Sequence, residues 1–297
     1  MDIGIIGVPI DLGADRRGVD MGASAIRYTG LDEQLRGNGH TVRDFGNVTV
    51  PPAESVDGSG HGLKYLHSIV TMSEQLAAGV DGIMEQGYLP LVLGGDHSLS
   101  LGSITGATRN RKLGLVWIDA HGDFNTEATS PSGNIHGMVL AALAGHGDSR
   151  LVEIDGRSPK VDPHNIVLLG TRSVDPAERA LLKKCGVTIY SMYEIDRMGL
   201  PAILEKLLDR FSESNIDGIH VSLDLDVVDP SQAPGVGTPV FGGLTYRETH
   251  LAMEMLAETC RITSMDVVEV NPVLDNHNET ARLAMEFVLS GMGKRIV

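Results

Sequence analysis

The pentapeptide Asp119-Ala120-His121-Gly122-Asp123 sets three metal-competent side chains two residues apart. An extended chain would project all three to one side. The run before it, Leu113-Gly114-Leu115-Val116-Trp117-Ile118, is almost wholly apolar, as expected of a strand buried on both faces in a parallel sheet. Ligands of open α/β sheets sit beyond the carboxyl ends of the strands, where this cluster would stand. Alone, the pentapeptide could be a solvated acidic loop. Two similar strand ends argue against that. Leu89 to Leu93 empties into Gly94-Gly95-Asp96-His97-Ser98, and Gly218 to Leu223 empties into Asp224-Leu225-Asp226.

The candidate metal ligands are therefore His97, Asp119, His121, Asp123, Asp224 and Asp226. Asp96 is expected to be a turn residue or a support behind a ligand, and Ser98 to cap the following helix. His220 shares the parity of Asp224, but at ~3.3 Å per residue it lies about 13 Å back along the strand. It is expected to pack in the sheet. Four carboxylates carry −4 and two neutral imidazoles carry nothing, so two divalent cations would balance the set. Metals ~3.5–4 Å apart can share one hydroxide. Oxygen-rich ligands with imidazole and no thiolate favour Mn²⁺ over a structural Zn²⁺, with Zn²⁺, Fe²⁺ and Co²⁺ left open.

Paired metals hydrolyse phosphate esters, peptides and amidines alike, so the neighbours must discriminate. A phosphoesterase would place Arg, Lys or clustered backbone donors by the metals. The segments that follow the strands offer Asn125, Ser132, Asn134, His136, Asp175 and Glu269 instead. That set is neutral or anionic and suits a small substrate with a positive end. Glu269 stands among apolar neighbours in the last strand, 263–270, where an unpaired charge is costly. It calls for a cationic partner, a metal or a proton. Asp175-Pro176-Ala177-Glu178 reads as a helix start with N-cap, proline and returning glutamate, a structural reading as good as any ligand role for the two carboxylates.

The elements that must position these residues alternate along the whole chain. Strands are expected over 3–8, 41–45, 89–93, 113–118, 165–169, 187–190, 218–224 and 263–270. Helices are expected over 24–36, 63–85 with an interruption at Gly79, 138–144, from 176, 200–211, after the Thr245-x-x-Glu248 box, and from about 281. Residues 51–62, 124–137 and 229–243 read as loops. The expected fold is a single three-layer α/β/α domain, residues 1–297, on a mainly parallel sheet of about eight strands.

Composition agrees. Apolar residues make up 42% of the 297, ample for a core. The charge, 24 − 39 = −15, is interspersed, which argues against nucleic acid or an anionic membrane and suits cations. Cys185 and Cys260 make neither metal spacing nor a disulfide framework. The first residues lack a basic signal segment and no apolar run approaches membrane length, so a cytoplasmic location is expected. Arg16-Arg17 reads as a solvated loop, with subunit contact the alternative.

Gly94-Gly95-Asp96-His97-Ser98, Asp119-Ala120-His121-Gly122-Asp123 and Ser222-Leu223-Asp224-Leu225-Asp226 resemble the three metal-binding signatures of the ureohydrolase family. The resemblance runs from the opening Gly7-Val8-Pro9-Ile10-Asp11-Leu12-Gly13 to the last strand. Ser130-Pro131-Ser132-Gly133-Asn134-Ile135-His136-Gly137 and Val268-Glu269-Val270-Asn271-Pro272 resemble the arginases more than the agmatinases, the alternative within the family. Val139 and Ala23 stand where proline is expected, and neither is a ligand position. The resemblance implies hydrolysis of L-arginine to L-ornithine and urea at two Mn²⁺ ions. His97, Asp119, Asp123 and Asp224 would hold one ion; Asp119, His121, Asp224 and Asp226 would hold the other. Asp123 would accept a hydrogen bond from the shared hydroxide and pass on its proton. His136 would shuttle protons, Glu269 anchor the guanidinium, and Thr238 line the pocket. Asn125, Ser132, Asn134, Asp175 and Glu178 complete the expected substrate contacts. The family also implies homotrimers or homohexamers. The competing readings, a catalytically silent metal-binding relative or a metal-dependent deacetylase of similar architecture, have no need of His136 and Glu269 or release no urea.

Overall fold

The apolar runs become the middle of one sheet. The computed structural model describes residues 1–56, 58, 63–259 and 261–295. Its strands are β1 (Asp2–Val8), β2 (Thr41–Asn47), β3 (Leu89–Gly94), β4 (Leu113–Ile118), β5 (Ile166–Thr171), β6 (Thr188–Ser191), β7 (Gly218–Asp224) and β8 (Ile262–Val268). They lie in the order β2-β1-β3-β8-β7-β4-β5-β6. Every pairing is parallel, so the sheet is wholly rather than mainly parallel.

Alternation along each strand feeds two cores. Leu91, Leu93, Val116 and Ile118 pack on one face with the helices Leu200–Glu213, Tyr246–Glu258 and Glu279–Gly291. Val92, Leu115 and Trp117 pack on the other with the helices Leu66–Glu85 and Ser100–Ala107. Side chains two apart share a face and neighbours oppose, so the apolar runs need both layers of helices. The expected α/β/α layering is what forms.

Several boundaries differ from the sequence reading, each for a local reason. The helix expected over 24–36 is two, Gly22–Tyr28 and Leu31–Gly37, because Gly30 between them takes φ 84°. Glycine alone adopts that turn without strain. Gly79 interrupts nothing: the helix Leu66–Glu85 passes through it, and a Cβ there would sit 3.0 Å from Ile6 Cδ1. Its role is close helix–sheet approach. Ser98 is not the cap; Asp96 is, accepting from Ser98 N at 2.9 Å. The helix Met192–Met198 was not expected, although Ser191 and Glu194 form a capping box at its start. Of the segment 51–62, residues 57 and 59–62 lie outside the described residues, as does Cys260, and Ala53–Ser55 is a short 3-10 turn. Among the described residues Cys185 is a free thiol. No described helix is long and apolar enough to cross a membrane.

Candidate metal centre

Strands β3, β8, β7 and β4 are consecutive neighbours in the sheet, so the segments after them open at one edge. His97 follows β3, Glu269 follows β8, Asp224 ends β7 with Asp226 just beyond, and Asp119 to Asp123 follow β4. His97 Nδ1 lies 3.1 Å from Asp119 Oδ2, 3.2 Å from Asp123 Oδ2 and 3.1 Å from Asp224 Oδ2. His121 Nδ1 lies 3.0 Å from Asp226 Oδ2 and 3.4 Å from Asp119 Oδ1. All six expected ligands meet here. Two groups, His97–Asp119–Asp123 and Asp119–His121–Asp226, each keep their ligand atoms within 4.8 Å and share Asp119.

The convergence does not come from strand parity, as the sequence reading supposed. β4 ends at Ile118; Asp119 Oδ1 then accepts from His121 N at 2.6 Å, and Asp123 takes φ 48°. Asp226 likewise lies in the short turn Leu225–Val227, its amide donating to Asp224 Oδ1 at 2.8 Å. Each carboxylate is aimed by an amide two residues on, the local turn that aspartate favours. A non-glycine residue in the left-handed region at a site is strain held in place by its surroundings. Glu269, with φ 64°, is a second case.

The donor set fits a divalent cation. His97 Nδ1 is buried and makes no hydrogen bond, although three carboxylate oxygens surround it. Its Nε2 lies 2.8 Å from Ser222 Oγ, and Trp117 stacks on the ring at 3.9 Å. Burial works to lower the His97 pKa, but the carboxylates of Asp119, Asp123 and Asp224 hold it well above the ordinary range. Burial raises Asp224 well above the ordinary carboxylate range, helped by Asp226 and Asp119. Burial also lifts Asp123 to about 6, with Asp119 adding and His97 opposing. Crowded buried carboxylates of this kind need positive charge.

Beside this floor a cavity of about 170 Å³ is lined by His121, Asp123, Asn125, Ser130, Pro131, Ser132, Asn134, His136, Gly137, Ser173, Asp175, Glu178 and Thr238. Asn125, Ser132, Asn134 and Asp175, expected near the substrate, and Thr238, implied by the resemblance, all line this cavity. Asn125 Nδ2 donates to Asp175 Oδ2 at 3.1 Å, and Thr238 Oγ1 donates to Asp226 Oδ2 at 3.1 Å. Ser173, which pairs with His121 in an isolated bridge, was missed; nothing in its own type marks it. Lys64 was missed as well. Its Nζ reaches Asn134 Oδ1 at 3.1 Å and Asp15 Oδ1 at 2.7 Å.

Two of the expected site carboxylates carry contacts beyond the expected roles. Glu178 lines the cavity, but Oε1 accepts from Phe124 N at 2.8 Å and Oε2 from Asp175 N at 3.0 Å. It braces the loop and the helix start, and burial raises it to about 7. Glu269 lies one residue beyond β8 and is off the cavity wall. Its Oε1 accepts from His97 N at 3.0 Å and faces His136 Nδ1 at 3.2 Å, while the buried Oε2 has no partner. Burial works against the His136 cation, but Glu269 outweighs it and raises the ring to about 9. His220 packs in the sheet as expected, with Nε2 3.1 Å from Asp266 Oδ2. Reading the last strand for Glu269 alone passed over Asp266, a second buried carboxylate. Arg17 is spent within the chain, on Asp11 at 2.6 Å and Glu54 at 2.7 Å.

The Arginase family matches residues 1–293. The chain belongs to the arginase family. It is 50% identical to the arginase of Bacillus caldovelox over 297 residues, covering 99% of both chains. It is also 50% identical to the arginase of Bacillus subtilis (strain 168) over 296 residues, again covering 99% of both. The solved Bacillus caldovelox arginase superposes with a TM-score of 0.96 at 50% identity, covering 100% of this chain and 99% of that one. The family's fold is therefore this chain's fold, and the resemblance read from three short motifs extends over its length.

Proposed function

We propose that the chain is a binuclear Mn²⁺ arginase that hydrolyses L-arginine to L-ornithine and urea. The observation that carries this reading is the pair of His/Asp groups joined through Asp119 beside a cavity lined by Asn125, Ser132, Asn134, Asp175 and His136. His97, Asp119, Asp123 and Asp224 would hold one ion, and Asp119, His121, Asp224 and Asp226 the other. Two such ions supply positive charge to polarise the substrate and lower the pKa of water enough to give a nucleophile at neutral pH.

The chain's residues do the rest. Asp123, whose Oδ2 faces His97 Nδ1 at the centre, accepts a proton from the nucleophile and passes it toward the leaving amine. His136, held cationic by Glu269, is the acid that completes the transfer. Glu269 acts first through His136, and its free Oε2 is the acceptor left for the guanidinium. Thr238 steadies Asp226, and Glu178 fixes Asp175. Asp175 accepts from the α-ammonium, while Ser132 and Asn134 offer donors to the α-carboxylate. Relatives named as arginases at 50% identity support this choice of substrate. The same reading takes residues 1–297 as one domain, assembled as homotrimers or homohexamers in the cytoplasm.

Agmatine shares the guanidinium but lacks the α-carboxylate. A site with polar groups left unpaired rejects such an analogue strongly. After Mn²⁺ loading, urea production should favour L-arginine over agmatine by at least ~10² in kcat/KM, about 2.7 kcal/mol. Equal efficiencies would refute the arginase assignment.

A further inference from the structure

Asp266 lies midway along β8, opposite Ser222 of β7 in the register of the sheet, and is wholly buried. It accepts from Ser100 Oγ at 2.7 Å and from Ser103 Oγ, both on the helix Ser100–Ala107, and faces His220 Nε2 at 3.1 Å. Ser100 Oγ lies 3.5 Å from Ser222 Oγ, which lies 2.8 Å from His97 Nε2. These contacts connect a carboxylate outside the metal centre to a ligand inside it.

Donor counting gives the connection a direction. An ionised carboxylate only accepts, and a serine hydroxyl has one proton. The Ser100 proton goes to Asp266, so toward Ser222 its oxygen can only accept. In the arrangement that makes every contact of the chain a hydrogen bond, the Ser222 proton goes to Ser100, and toward His97 Nε2 its oxygen accepts in turn. Nε2 therefore carries the hydrogen. In the neutral ring Nδ1 is then a bare lone pair, facing Asp119, Asp123 and Asp224 at 3.1–3.2 Å. The partner of a ligating imidazole's second nitrogen fixes which nitrogen is free to bind.

We propose that the chain Asp266–Ser100–Ser222–His97 sets the tautomer of His97 and so presents Nδ1 to the cation, making Ser100 and Asp266 positioning residues for the metal centre. This rests on the metal-binding reading above. The 3.5 Å step is the long one, so the effect of breaking it belongs at the lower end of the 10–100-fold usual for such supports.

Ser103 provides the internal control. Like Ser100 it donates to Asp266 from the same helix, but it is not on the path to His97. Ser100→Ala and Ser103→Ala should lower the melting temperature of the metal-free protein alike. Titration of metal-free full-length protein with Mn²⁺, with free ion read by electron paramagnetic resonance, should separate them. Ser100→Ala is expected to weaken one Mn²⁺ site about tenfold and Ser103→Ala less than about threefold. Equal weakening in both, or an unchanged Kd in Ser100→Ala, overturns the proposal. If Ser100→Ala does not fold, Ser222→Ala takes its place with the same expectation and the same overturning results. Wild-type protein that binds no Mn²⁺ would instead overturn the metal centre itself, and the relay with it.

Discussion

Asp224 and Asp266 are the same residue type, both wholly or almost wholly buried, on strands that lie side by side. Burial pushes both carboxyls upward. At Asp266 that push is outweighed by His220, Ser103 and Ser100, and the group is held below the ordinary range. At Asp224 the next largest influences are Asp226 and Asp119, which add to burial, and the group stands well above it. A buried charge that has its donors is finished structure, whereas one facing other carboxylates is a socket for a cation. Chemical type and depth do not distinguish the two; what surrounds them does.

The comparison breaks most visibly at Asp224. Asp224→Ala removes a carboxylate assigned to both ions, so activity should fall by about 10⁴ or more, since each lost charge contact in the transition state is worth several kcal/mol. Metal analysis should find both ions depleted. The metal-free variant should melt no lower than wild type, because a carboxyl with a raised pKa opposes folding once ionised. Full occupancy, or a large loss of metal-free stability, would place Asp224 with Asp266 instead.

His136 sharpens the comparison from the rim, where the chain supplies its own cation. His136→Asn should lower kcat by about 10²–10⁴, the usual share of acid–base catalysis, with KM changing much less. A wild-type kcat with metals bound would leave the ring a structural role only.

Asp266 should fail in the opposite way. Asp266→Asn weakens charge-assisted bonds from Ser100, Ser103 and His220, and should lower the stability of metal-free protein by about 3 kcal/mol. Denaturant unfolding of the two metal-free variants side by side reads the contrast directly. Asp266→Asn as stable as wild type would remove the basis of the distinction.

What the sequence showed and hid follows the same line. Runs such as Leu113–Ile118 are legible because a strand buried on both faces must be apolar throughout. The six candidate ligands that converge were legible by type, since few other reasons put aspartate and histidine together after such runs. How they converge was not, because the turns at Asp119, Asp123 and Asp226 depend on backbone amides that every sequence has. Asp266 was overlooked because its partners come from Ser100, Ser103 and His220, far off in the chain. The capping box of Asp175 and Glu178 was legible, but the link from Glu178 to Phe124 N was not, because it crosses 54 residues. The Ser191–Glu194 box was there to be read.

Glu269 is the intermediate case, with Oε1 engaged by His97 N and His136 while Oε2 is unpartnered. The ring that Glu269 faces, His136, should give the protein a modest pH dependence. His136 is raised from 6.5 to about 9 in the folded protein, so folding favours its protonated form. That stability is present in full below pH 6.5 and is lost as pH rises through 9. The full shift would correspond to about 3 kcal/mol, and water at the partly open ring should reduce it to about 1–2 kcal/mol. Unfolding free energies of metal-free protein between pH 6.5 and 9 should therefore fall in wild type by about that much more than in His136→Asn. Bound divalent ions carry charge of the same sign as the imidazolium, so metal loading should move the transition to lower pH. Identical slopes in the two proteins would mean that folding does not favour the His136 cation, and Glu269 would then join Asp224 as a carboxyl awaiting its cation.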